Sequence, residues 1–165
     1  MNMMLERPSR PTTESVWDYP RPPIVKPTSA RIRVVHRGVV IADSTESLRV
    51  LETSQPPSYY IPRHDVLQDV LVPSRSCSLC EWKGIGTYWS VRIDGHVDLD
   101  VAWGYQHPMP DFRAIAGCLA FYAQKVDECW VDDEQVQPNQ GSFYGGWITS
   151  DIEGPFKGSP GTDLW

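Results

Sequence analysis

The sequence predicts a mainly β fold of short antiparallel strands and frequent turns, and three observations carry that expectation. Fifteen prolines and twelve glycines in 165 residues interrupt the chain too often for long helices. Two stretches, residues 31–43 (RIRVVHRGVVIAD) and 88–100 (YWSVRIDGHVDLD), place β-branched runs on either side of a tight turn and read as hairpins. An apolar content of 41% with seven tryptophans is enough to bury a core in one domain of this length.

Each element follows in order. The opening MNMMLERPSRP lacks the apolar stretch of a secretory signal, and residues 1–13 are expected to form a disordered tail. Residues 14–30 are rich in proline yet hold Trp17 and Tyr19, so they read as an extended arm that docks on the body through those rings. The first hairpin turns near His36 to Gly38. Tyr59-Tyr60-Ile61, fenced by Pro56-Pro57 and Pro62, is a brief or edge strand. The second hairpin turns at Asp94-Gly95, the strongest turn signal in the chain. Residues 112–119 (FRAIAGCL) are the one fair helix candidate, with Asp111 as its cap. Ala120-Phe121-Tyr122 and residues 128–131 are strands around a turn at 125–127, and a glycine- and proline-rich tail runs from 135 to 165. The domain is therefore expected to span residues 14–165.

The two hairpins align at a constant offset of 57: Val34 with Val91, Gly38 with Gly95, Val40 with Val97 and Asp43 with Asp100. Tyr60 and Asp65 find echoes in Tyr122 and Asp127 at an offset of 62. An internal duplication of a small β unit implies two similar sheets facing each other.

Charge excludes some functions. The net charge of −6 argues against sequence-independent nucleic-acid binding, which needs a basic surface to neutralise phosphates. No run approaches the roughly 20 apolar residues that span a bilayer. Residues 7–37 carry seven Lys/Arg against two Asp/Glu, and residues 38–165 carry eight against eighteen. A basic arm on an acidic body is expected to lie along its own domain or to hold a homodimer together. Four cysteines without a signal peptide read as free thiols in the cytoplasm.

A longer set of segments carries a resemblance. Residues 14–23 (ESVWDYPRPP), 38–44 (GVVIADS), 57–62 (PSYYIP), 80–84 (CEWKG), 102–105 (AWGY), 143–151 (FYGGWITSD) and 154–158 (GPFKG) together resemble domain of unknown function family 427, found in bacteria and fungi. The resemblance implies a β-tent: two small antiparallel sheets pinned at one edge and open at the other, with one short helix. Related tents hold an aromatic cage in the opening. The family is catalogued in places under a nucleotidyltransferase label, without an established activity.

Cys77 and Cys80 have the spacing of half a zinc site, but no second such pair exists, and only Cys80 belongs to the family-like segment. No metal or other cofactor is expected. Ile85-Gly86-Thr87 followed by Asp98-Leu99-Asp100 is close to a nucleotidyltransferase metal motif, yet the glycine should open a phosphate-binding helix and here it opens a strand-like alternation. The segment 154–162 lacks the order of a phosphate loop, and its prolines lack the N–H groups such a loop aims at phosphate. No serine sits in a nucleophile elbow. His107 follows Trp103 and Tyr105 closely enough to share their pocket or to be a lone surface histidine.

What remains is an aromatic set with a few polar heads: Tyr59, Tyr60, Trp82, Trp89, Trp103, Tyr105, Phe121 and Tyr122, with Glu52, Cys80 and Lys83. Strand alternation splits the rings between core and mouth. The sequence is thus expected to encode a binder of a small planar or nucleotide-like molecule, with Glu52, Tyr60, Trp82, Trp103, Tyr105 and Tyr122 contacting the ligand. The alternatives are an enzyme using Lys83 or Cys80 in that pocket and a non-catalytic homodimeric module. Lys83, between Trp82 and Gly84, is suited to hold an anion, to act as base or amine nucleophile, or merely to pair with Glu52 or Glu81.

Overall fold

The structure, a computed structural model, describes residues 13–141 and 143–165. The tail expected at 1–13 lies, apart from Thr13, outside those residues. The strands begin with β1 (Glu14–Ser15), β2 (Ile24–Pro27), β3 (Ile32–His36), β4 (Val39–Ser44), β5 (Leu48–Leu51), β6 (Ser58–Tyr60), β7 (Leu71–Cys80) and β8 (Gly84–Ile93). They continue with β9 (His96–Gly104), β10 (Ala120–Phe121), β11 (Glu128–Val131), β12 (Glu134–Gln135), β13 (Gln137–Pro138), β14 (Trp147–Ile148) and β15 (Ile152–Glu153).

The fold is mainly β, assembled from small sheets that are antiparallel except for the parallel pair β1–β15, with no barrel among the described residues. One sheet has the order β12-β11-β3-β4, a second β10-β9-β8-β7 and a third β2-β5-β6, with two-stranded pairs β13–β14 and β1–β15. Both predicted hairpins form, and both turn on the same backbone. Arg37 and Gly38 have φ of 48° and 77°, and Asp94 and Gly95 have φ of 50° and 79°. Two successive left-handed residues match the twist of antiparallel strands.

Alternation decides what is buried. On β3, Ile32, Val34 and His36 point inward while Arg33 and Val35 are only half-buried. Ile32, Val34 and Ile41 from the first sheet pack with Val91, Val101 and Phe121 from the second, and Trp147 joins the same cluster. Each such side chain contributes roughly 1.5–3 kcal/mol by leaving water, which outweighs the weak pairing of short strands.

The third sheet is pinned to the second where Ile61 and Leu119 exchange both backbone hydrogen bonds, at 2.7 and 2.9 Å. The candidate site is lined by residues from the β5–β6 side and from the β7–β9 sheet.

The segment 14–30 makes contacts along the rest of the chain, with Trp17 itself partly exposed. Val16 and Tyr19 are buried, the Trp17 Nε1–H donates to the Pro155 carbonyl at 2.9 Å, and β2 pairs with β5. Arginines in and after this segment meet carboxylates of the same chain: Arg21 with Glu52, Arg31 with Asp43 and Arg37 with Asp98.

The helix differs from expectation. Residues 110–115 form a six-residue 3-10 turn, Pro110–Ile115, that starts after Met109 with no side-chain cap. Asp111 lies inside it. The chain leaves the turn at Ala116 because tertiary pairing claims the next residues: Gly117 N–H donates to Tyr105 and Leu119 pairs with Ile61. Among the described residues no helix is long and apolar enough to cross a membrane.

Candidate functional site

The β7–β8 hairpin carries the segment CEWKG across its turn. Cys80 ends β7, Glu81 to Lys83 make the turn, and Gly84 opens β8 at φ 103°. The Met109 N–H donates to the Lys83 carbonyl at 2.9 Å and fixes the turn against the neighbouring loop. Cys77 and Cys80, three apart on one strand, face opposite sides; Cys77 is exposed and Cys80 half-buried, both as free thiols. Ile85-Gly86-Thr87 lies within β8, not at a helix start.

All eight residues singled out from the sequence line one cavity of about 370 Å3. Glu52 and Tyr60 come from the third sheet. Cys80, Trp82 and Lys83 come from the β7–β8 hairpin, and Trp103, Tyr105 and Tyr122 from β9 and the segments beside it. The rings meet as a continuous floor. Tyr60 stands edge-on to Trp103 at 6.1 Å and 6.3 Å from Tyr105, and Trp103 lies 4.4 Å from Tyr122. Trp103 Nε1–H donates to the Tyr60 hydroxyl at 3.1 Å, satisfying the one polar atom its indole buries.

Burial sets the protonation of this floor. It pushes the Tyr60, Tyr105 and Tyr122 phenols above the usual tyrosine range, and Tyr60 and Cys80 push Tyr105 further. The three hydroxyls therefore stay neutral at working pH. Glu52 is already engaged, accepting from Gln55 at 2.9 Å with Arg21 at 3.5 Å. Lys83 does not pair with Glu52 or Glu81. Among the described residues it forms no ion pair, and its Nζ stands 5.7 Å from the Tyr105 ring centre.

The other rings go elsewhere. Tyr59 stacks on Trp147 in the core, Phe121 is fully buried, and Trp89 takes the guanidinium of Arg63 on its face at 4.4 Å. His107 is exposed and does not line the cavity.

Sequence reasoning missed part of the lining: Ser78, Tyr88, Phe143, Tyr144, Gly145 and Lys157. Tyr88 and Trp89 are adjacent on a strand, so one of the two had to face the cavity, and alternation alone does not say which. The C-terminal group is brought in by tertiary contacts: the Lys157 N–H donates to Ser54 at 2.7 Å and Gln124 donates to the Tyr144 carbonyl. Gly145 presses so closely that a methyl there would overlap the Trp103 ring.

A second cavity of about 340 Å3 lies around Arg49, Tyr59 and Asp151, with Arg49 tied to Glu14 at 2.8 Å. Among the described residues, Glu46, His64 and Asp65 stand close enough to share a cation, at the surface and away from the aromatic floor. Asp98 is bound by Arg37 and His36, Asp100 accepts from Ser76, and neither lines the cavity.

Fold and site together define a small mainly β protein with an aromatic-floored cavity lined from two of its sheets. The chain belongs to the family described as Domain of unknown function (DUF427), whose profile, NTP_transf_9, matches residues 24–132. No curated protein matches it.

Proposed function

We propose that this protein binds a small planar or nucleotide-like molecule in the cavity between β6 and the β7–β9 sheet. The observation that carries this reading is the floor of Tyr60, Trp103, Tyr105 and Tyr122, with neutral hydroxyls and the heads of Lys83 and Cys80 around it. Such a mixture of aromatic faces and polar groups suits a flat ligand with polar atoms on its rim. Four free thiols, two of them buried, support a cytoplasmic setting.

The test is a thermal-shift and tryptophan-fluorescence screen with nucleobases, nucleosides and nucleotides on the full chain. A binder is expected to raise Tm, and Trp82→Ala, at the half-buried rim, is expected to weaken it up to roughly tenfold without loss of fold. A screen in which no compound shifts Tm or quenches fluorescence sinks the reading. An enzymatic reading rests on Lys83, which has no ion-pair partner among the described residues, standing with Cys80 in the same cavity. Turnover of a bound compound that Lys83→Ala abolishes while binding survives would select it.

A further inference from the structure

The charges around the cavity are unevenly compensated. Four charged side chains line it: Glu52, Glu81, Lys83 and Lys157. Glu52 is offset by Arg21. Glu81 sits exposed at the tip of the β7–β8 turn. The two lysines are half-buried and, among the described residues, neither meets an Asp or Glu carboxylate. Lys83 Nζ lies over Tyr105 at 5.7 Å, and Lys157 Nζ lies over Tyr144 at 5.2 Å and 3.5 Å from the main-chain oxygen of Trp165, the last residue of the sequence. Arg21, Arg31, Arg37 and Arg49, by contrast, all meet a carboxylate of the chain.

An ammonium group in a partly desolvated site is most stable beside an anion. Here the aromatic faces compensate only in part. The backbone of Lys157 is held at both ends of its peptide, donating to Ser54 and accepting from Asn139 at 2.8 Å, so its side chain is presented from a fixed base. Lys83 is presented in the same way by the bond from Met109. The floor between them is uncharged.

We propose that the cavity selects a planar aromatic anion, whose ring lies on the Tyr60–Trp103 floor and whose carboxylate or phosphate is held by Lys83 and Lys157. This rests on the aromatic-cavity reading above and adds the sign of the ligand's charge. It also makes the segment beyond residue 132, which lies outside the matched family region, part of the selecting site through Lys157.

The experiment titrates the full chain with matched probes, nicotinamide against nicotinate and adenosine against adenosine monophosphate, by fluorescence or calorimetry. At least one anion is expected to bind roughly tenfold tighter than its neutral twin, since a hydrogen bond to a charged group is worth about that factor. The pair that shows the preference separates carboxylate from phosphate. Lys83→Met and Lys157→Met are each expected to weaken the anion more than its neutral twin and so reduce the preference, while Lys→Arg at either position keeps it. Neutral twins that bind as tightly as both anions, or a preference that survives both methionine substitutions, overturn the inference. In that case, neutral binding that weakens in Trp82→Ala leaves the aromatic-cavity function standing. No binding by any of the four probes removes both.

Discussion

Asp98 shows how one carboxylate can lock two hairpins. It accepts from Arg37 Nε at 2.8 Å and Nη2 at 3.2 Å, and from His36 Nε2 at 2.7 Å. His36 Nδ1 accepts from the Asp127 backbone N–H, so the ring proton sits on Nε2 and points at Asp98. The hydrogen bonds from Arg37 and then His36 hold the Asp98 carboxyl well below the usual carboxylate range. A lowered folded pKa adds stability above the unfolded value of about 4, and that stability is lost as pH falls below it. Asp98→Asn is therefore expected to flatten the acid limb of a stability–pH curve. Asp98→Ala, which strands the buried His36 N–H, is expected to cost about 1–3 kcal/mol at pH 7 in urea unfolding. An unchanged acid limb in Asp98→Asn would show that this carboxyl is not linked to folding.

The hairpin is the element in which sequence and structure agree best, because its turn chemistry is local. Gly38 and Gly95 both adopt left-handed φ with nothing within 4 Å of where a Cβ would stand. A methyl at either site thus meets backbone strain but no neighbour. Gly38→Ala and Gly95→Ala are each expected to destabilise by about 1–2 kcal/mol, measured by denaturant midpoint. A loss well above that would mean the turn also makes packing contacts. The 3-10 turn at Pro110–Ile115 is the opposite case. Its residues had fair local helix signals, but Gly117 and Leu119 are paired to Tyr105 and Ile61, partners more than ten residues away.

At the scale of the molecule, the C-terminal segment closes the structure. Trp147, 1% exposed, stacks on Tyr59 at 5.1 Å and donates Nε1–H to the Phe121 carbonyl at 2.8 Å. It lies beyond the matched region 24–132, yet it belongs to the main core. Trp147→Ala is expected to cost about 3–5 kcal/mol. Phe143→Ala, at a ring 70% exposed, should stay within about 0.5 kcal/mol. Equal effects of the two in urea unfolding would contradict this division of the tail into core and rim.

The β character and the two hairpins were legible in the sequence, and the eight residues singled out there stand around one cavity. Turn residues and strand alternation act over a few positions, and the resemblance pointed to the aromatic opening. Which of Tyr88 and Trp89 faces the cavity, where the helix stops, and how Lys157 and Tyr144 come to stand near Lys83 were decided only by tertiary structure. Those outcomes depend on contacts between residues tens of positions apart, such as Lys157 with Ser54 and Leu119 with Ile61, whose free energy no local pattern encodes.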